Sequence, residues 1–433
     1  MHSLDAENSR SRQRRSRNTL LAGCGTTVAV FMLAVFGYLS WANLLPPPER
    51  DRRVLPSPNG YDACALAVGS LPKFSGNGTP WDLDLGELRK HLAQSRPQLA
   101  AVRAAVRLPY LSPRRDPGAF RQIAHYREAA RQLAAQTRVE LADGRPETAM
   151  DSALDAVELG AKMGRGGALL DSLVGMVCTV IGQNGAERCV PQLSTESARA
   201  AGIRLDGILT QLPAPVDVME EERRTELLLA RSVLRGKSPI ATSPAVMGNP
   251  TTWVDQVKER VLLTLYPKCW GYSQVDQYWR ALAIEFRKPY RQRKSPRPTP
   301  PEWDPVLGGM TMRLPTLQFP FARTRAQLRL LRTELALREF RLRHGAYPTK
   351  LDELAPAIVA AVPVDPFSEQ PLRYRRQGNG YVLYSVGPDL NDDGGTPIPS
   401  GAANASSKGD LVAGRLFSPR KAAPASRERD AKR

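Results

Sequence analysis

Apolar positions follow three regimes along this 433-residue chain. From Leu20 to Leu45 they succeed one another with only small or weakly polar interruptions. That length suits a membrane-crossing helix, which needs about 20 apolar residues. From Trp81 to Phe286 apolar residues recur at helical spacing, divided by turn residues. From Phe321 a long helical pattern gives way to two strand-like runs, Pro371 to Arg376 and Tyr381 to Val386. Gln377-Gly378-Asn379-Gly380 splits these runs.

The middle regime predicts helices in hairpins. Asp82-Leu83 leads into one helix, and Ser95 with Pro97 starts a second, as N-cap and early-turn proline. Asp116-Pro117 opens a long helix through Ala142, Asp143-Gly144-Arg145-Pro146 turns it, and Glu147 to Met163 runs back. A strongly apolar helix spans Leu169 to Ile181, and two more lie near Glu196 to Leu212 and Val216 to Leu234. Short loops between such helices make an antiparallel array. The hairpin around Gly144, Ala149 and Ala156 resembles a tetratricopeptide repeat at its turn and small-residue positions. It departs at Gln136, Thr137 and Glu140, and no second copy occurs at the 34-residue period.

The helix near Phe321 to Arg343 carries two apolar stripes. Leu328, Leu331, Leu335 and Leu342 share one azimuth; Ala326, Leu330, Leu337 and Phe340 share roughly the opposite one. A helix lying on a sheet with water behind it needs only one stripe. Two stripes predict cover on both sides, by a C-terminal sheet and by the helical array, with Arg329, Arg332, Arg338 and Arg341 reaching water from the flanks.

Charge orients the apolar run. Arg10, Arg12, Arg14, Arg15 and Arg17 precede it, and basic residues flanking a first span stay in the cytoplasm. The expectation is a signal-anchor, single-pass in a bacterial inner membrane, with the N-terminus cytoplasmic and the bulk periplasmic; whether it is cleaved stays open. Arg50, Arg52 and Arg53 reduce the contrast; Tyr38 and Trp41 suit the outer interface. Leu21-Ala22-Gly23-Cys24 spells a lipobox, but the apolar core follows its cysteine. Ser40-Trp41-Ala42 has signal-peptidase spacing behind an unusually long apolar run. The formal net charge is +18. Solvated helix faces account for such arginines, and the expected topology argues against nucleic acid as a partner. Of five cysteines, Cys24 lies in the run; Cys64, Cys178, Cys189 and Cys269 lie beyond it with no zinc or redox spacing. Cys178 and Cys189 would stand ~16 Å apart on one straight helix, too far to bond. Gly182, Gly185 and Pro191 would let the chain fold back, so the pairing stays open.

The stretch from Arg338 to Leu411 holds a Tyr347-Pro348 turn after a long helix, a short LDEL helix and an Asp365-Pro366-Phe367 turn. A Leu-Tyr-Ser-Val-Gly-Pro-Asp run and an acidic, Gly-rich loop complete it. This order resembles the globular part of the major pseudopilins of type II secretion. The pseudopilin leader site and its glutamate are missing here. Asp389-Leu390-Asn391-Asp392-Asp393-Gly394 also fits the first half of a calcium loop, with Ser400 where an EF-hand has its bidentate Glu. The resemblance implies Ca²⁺ held by Asp389, Asn391, Asp392, Asp393 and Asp410 together with backbone carbonyls. The competing reading is a solvated Asn/Asp/Gly turn.

The expected fold is α+β. A cytoplasmic basic tail (1–18) leads to a transmembrane helix (19–45) and a Pro/Gly-rich stalk (46–80). An α-helical hairpin domain (81–286), a basic Pro-rich linker (287–315), a pseudopilin-like module of a long helix plus a small antiparallel sheet (316–417) and a disordered basic tail (418–433) follow. None of the four histidines sits in a metal-binding pair or beside a nucleophile, and no catalytic fingerprint is present. Glu220, Glu221 and Glu222 beside Arg223 and Arg224 read as a charged helix face. The expected function is a membrane-anchored extracytoplasmic interaction or scaffold protein, touching lipid through residues 19–45 and a protein partner on the helical domain. The resemblance links it to secretion or envelope assembly. The alternative is an envelope-acting enzyme with its site inside the helical domain.

Overall fold

The computed structural model describes residues 27–41, 43–46, 53–74, 79–113, 123–237, 252–294, 317–399 and 403–414. Among them the chain is mostly helical. Helix α1 covers residues 27–41, α2 Gly60–Gly69, α3 Leu85–Arg107, α4 Ile123–Ala142, α5 Pro146–Met163 and α6 Leu169–Cys189. Then come α7 Thr195–Gln211, α8 Pro215–Leu234, α9 Trp253–Leu265, α10 Lys268–Arg287 and α11 Gln318–His344. Strands β1 Arg373–Gln377, β2 Gly380–Ser385 and β3 Leu411–Val412 form one antiparallel sheet in the order β1-β2-β3.

No helix among the described residues is long and apolar enough to cross a membrane. Helix α1 has 15 described residues. The lack of a membrane-crossing helix among the described residues overturns the expected span over 19–45, the signal-anchor and the single-pass inner-membrane, periplasm-facing placement. Residues 19–26 with Cys24, the arginines before them, most of the 287–315 linker, Ser400 and the 418–433 tail lie outside the described residues.

The chain divides into two compact units, with boundaries inside α8 and α10. The first comprises Met1–Glu49, Glu226–Gln277 and Thr299–Thr311. In it α1 exposes Val28, Phe31, Leu33 and Phe36. Asn43 Oδ1 accepts from Lys268 Nζ at 2.6 Å. Helix α9 starts on a reciprocal cap: Asp255 N–H donates to Thr252 Oγ1, and Thr252 N–H to the Asp255 carboxylate.

The second unit comprises Arg50–Thr225, Tyr278–Pro298 and Met312–Arg433. Here α2 packs with α3, α4 with α5, and α5 with α6; α7 lies against α5, and α11 closes the row against α6 and α7. The stretch expected as a stalk thus includes a helix, α2, whose Cys64 and Val68 are fully buried. Helix α3 runs unbroken through the expected start at Ser95 and Pro97. Proline there removes one ladder donor, while Ser95 Oγ turns back to the His91 carbonyl at 3.1 Å instead of capping a new helix.

Helix α5 is the centre of the array; from Ala149 to Met163 every residue but Asp151 is buried. Small residues explain why it fits. A Cβ on Gly160 would collide with the Gly175 carbonyl oxygen, and one on Gly182 would stand 2.6 Å from the Ala153 carbonyl oxygen. Glycine at these positions lets the α5 and α6 backbones touch. Ala149 and Ala156, two of the repeat-like positions, are fully buried, and Gly144 turns the α4–α5 loop at φ +70°.

Helix α11 has both stripes covered. Leu328, Leu331 and Leu335 join one core with α5, α6 and α7; Ala326, Leu330 and Leu337 join another with Phe367, Leu383 and Leu411. Leu342, in the last turn, is 40% exposed and belongs to neither. Gly345 ends the helix in the left-handed region at φ +77°. The Asp365 carboxylate fixes the next turn. It accepts from Phe367 N–H at 2.9 Å, Ser385 Oγ at 2.9 Å and Val386 N–H at 3.0 Å, tying the Asp-Pro-Phe turn to the end of β2. Strands β1 and β2 pair from Arg373↔Tyr384 to Gln377↔Gly380 across a two-residue turn.

Candidate functional site

The acidic loop is the site to which the sequence points. Asp389 Oδ1 accepts from the N–H of Asn391 at 3.3 Å, a local turn. Asp392 accepts from Tyr384 Oη at 2.8 Å and Gly394 N–H at 3.1 Å, and pairs with Arg373 at 3.1 Å. The Tyr384 hydrogen bond holds its carboxyl below the usual range. Asp393 takes part through its backbone: its N–H reaches Asp410 at 3.5 Å and its carbonyl accepts from Thr396. Asp410 is buried, with Oδ2 accepting from Gly395 N–H at 2.7 Å. Burial pushes the Asp410 carboxyl up to about 6, against the pull of these N–H groups and with the help of the Asp392 and Asp393 charges.

The Asp389 and Asp410 carboxylates thus serve the loop backbone, and Asp392 ties it to β1 and β2. No three Asp, Glu, His or Cys side chains among the described residues are grouped to hold a metal ion. Asp410 instead fastens the loop onto β3.

The helical array spends its polar residues on ties between helices. Asp155 on α5 is 3% exposed and accepts from Arg103 of α3 at 2.7 Å, Arg107 of α3 at 2.8 Å and Arg204 of α7 at 2.6 Å. Glu158, one turn on, pairs with Arg107 at 2.6 Å, Arg204 at 3.1 Å and Lys162 at 3.2 Å. This ladder stitches α3 and α7 across α5. Glu220 and Glu221 pair with Arg223 and Arg224 along α8, as the sequence suggests. Glu222 does something else: its carboxylate accepts from Leu169 N–H at 2.7 Å, satisfying a free donor at the start of α6.

The cysteines are free among the described residues. Cys178 and Cys189 share the single helix α6. Burial pushes the thiols of Cys64, Cys178 and Cys189 up to about 12, so they stay protonated and poor as nucleophiles. His91 stacks on Phe74 at 4.2 Å, and burial lowers its pKa.

Two features have no sequence signal as sites. The first is the outward face of α6. Leu170 and Val177 are 39% and 45% exposed, and Leu173, Val174, Val180 and Ile181 beside them are half-buried. Arg127 of neighbouring α4 is exposed and close enough to α6 to act on the Cys178 thiol. Periodicity shows that α6 is apolar; only the packing shows which part of it is left over.

The second feature is a small, half-open cleft between α5, α6, the residues after α7 and the start of α11. Ser172 Oγ is buried there without a hydrogen-bond partner. Arg325 reaches the cleft and donates to the Pro213 carbonyl at 2.8 Å. Comparison with protein-family models, curated proteins and solved structures finds no match to this chain.

Proposed function

We propose that this chain is an interaction protein whose helical array offers the outward face of α6 to a partner polypeptide. The partly exposed aliphatic stripe Leu170, Leu173, Val177 and Val180 carries this reading; Val174 and Ile181 beside it pack on the core. Most apolar side chains of the array are enclosed, and the buried Asp155 and Glu158 carboxylates are answered by arginines, whereas this stripe lies partly open. Contiguous exposed apolar surface marks interaction sites. The array's rigidity, given by glycine contacts and the Asp155–Glu158 ladder, keeps that face in one shape.

The C-terminal module is read here as pseudopilin-like. Its order of long helix, Tyr-Pro turn, Asp-Pro turn, antiparallel hairpin and Asp410-fastened loop supports that reading. In it, the module braces the array through α11 and holds the last pair of array helices in place.

The test is a photo-crosslinking residue at Val177, with a second version at Ile203 of α7, which is 61% exposed. The expected result is a discrete adduct from position 177 that Leu173→Asp removes. Identical smears from both positions, or no adduct, would contradict a docking face on α6.

A further inference from the structure

We propose that the cleft between α5, α6 and the start of α11 binds a small carboxylate, its oxyanion held by Arg325 and Ser172 and its short aliphatic body lying on Met176, Leu212 and Phe321. The site is separate from the outward face of α6 and does not depend on a partner docking there.

The charge pattern points to an anion. Arg325 has no carboxylate within ion-pair reach among the described residues; its one hydrogen bond goes to a backbone carbonyl. Burial and the neighbouring charges of Arg329 and Arg293 all work against its protonated form. Those two neighbours are no better supplied. Arg293 donates to the Lys288 and Phe286 carbonyls, and Arg329 to the Val364 carbonyl. Asp365 is the carboxylate that acts on Arg329. It is already committed to Phe367, Ser385 and Val386. Arg325 therefore feels two further guanidinium groups and has no carboxylate partner of its own among the described residues. Elsewhere in the same unit, Arg103, Arg107, Arg204 and Arg332 all have carboxylate partners. A buried charge left unpaired is costly, and an arriving anion relieves that cost.

The cleft adds a second polar anchor and an apolar wall. Ser172 is 3% exposed and its hydroxyl has no partner. A buried hydroxyl without a hydrogen bond loses what water would have given it, and a ligand oxygen restores it. Thr179, also on the lining, is already committed through its hydroxyl to the Gly175 carbonyl. Met176, Leu212, Pro213 and Phe321 make the rest of the wall largely apolar. An arginine fork matches the two oxygens of a carboxylate. The wall beside it favours a short hydrocarbon chain over a fully hydrated ion such as phosphate.

Sodium butyrate is the probe, followed by thermal melting and calorimetric titration of the full chain. Sodium chloride at equal ionic strength, 1-butanol and inorganic phosphate are the controls. The expected result is a saturable rise in melting temperature with butyrate alone. Arg325→Gln, which keeps a donor for the Pro213 carbonyl, should weaken binding about tenfold, the loss of roughly one charge-assisted hydrogen bond. Met176→Phe fills the cleft without touching its charge and should weaken binding as well. The proposal is overturned if butyrate acts no better than chloride. It is overturned too if phosphate binds more tightly than butyrate, or if both variants bind butyrate like the parent.

Discussion

Asp410 shows how one side chain takes on a role that its neighbours in sequence do not announce. As a letter it completes an acidic set with Asp389, Asn391, Asp392 and Asp393. In the fold it is the buried one, and its carboxylate accepts loop N–H groups while Asp392 and Asp393 lie near. Its folded pKa of about 6 lies above the ordinary aspartate value of about 3.9. Between those values the folded chain holds a proton that the unfolded chain releases. The contribution of this group is therefore greatest below about pH 4 and is lost as pH rises through about 6. Asp410→Asn removes that slope. Melting curves of parent and variant should diverge between about pH 4 and pH 7, with the variant gaining relative to the parent at the higher pH. A difference that stays constant with pH would show that Asp410 is not titrating as argued. The D-x-N-x-D-G spacing was readable from sequence; burial of one member and the Arg373 and Tyr384 partners of another were not. Those depend on contacts across the sheet.

At the scale of single elements, local signals served well where the chain punctuates itself and failed where a tertiary contact overrode them. The Gly144 turn, the Gly345 stop and the strands β1 and β2 lie at or near the positions their residues predict. Pro97 signalled a helix start and instead sits inside α3, because packing retains the helix despite one missing donor. The two stripes of α11 were legible from azimuth alone, apart from Leu342, where the last turn runs past both cores. The glycines of α5 and α6 were legible only as turn residues, yet they set the distance between two helices. Gly175→Ala tests this. Its new methyl would meet the Gly160 carbonyl oxygen, which is backbone and cannot step aside. The expected cost is about 1–3 kcal/mol, as for an overpacked core, seen as a lower denaturant midpoint with little change in slope. Gly207→Ala, on α7 with open space around it, is the control and should be neutral or slightly stabilising. Equal effects at both sites would rule out the close helix contact.

For the molecule as a whole, α11 decides the organisation of the second unit. One helix contributes Leu328, Leu331 and Leu335 to the array core and Ala326, Leu330 and Leu337 to the sheet core. Gln183 of α6 donates to the Gln327 carbonyl, and Arg338 to the Leu193 carbonyl, so the helix is also fastened to the array by hydrogen bonds. The array and the C-terminal module should therefore open together. The sequence pointed to this through the doubled stripe. The apolar N-terminal run pointed to a membrane span, and no helix among the described residues is long and apolar enough for one. The arginine-lined cleft had no signature, since its groups come from residues 172, 176, 212, 321 and 325, far apart along the chain. The most direct test of the shared helix is hydrogen exchange on Leu335→Ala, a fully buried residue facing only the array core. Such a change costs about 2–5 kcal/mol. If α11 makes the two cores one cooperative unit, protection should fall by a similar factor in α5–α7 and in β2, which Leu335 does not help to enclose. Loss of protection confined to α5–α7, with β2 unchanged, would show two independently stable parts and contradict the shared-helix architecture.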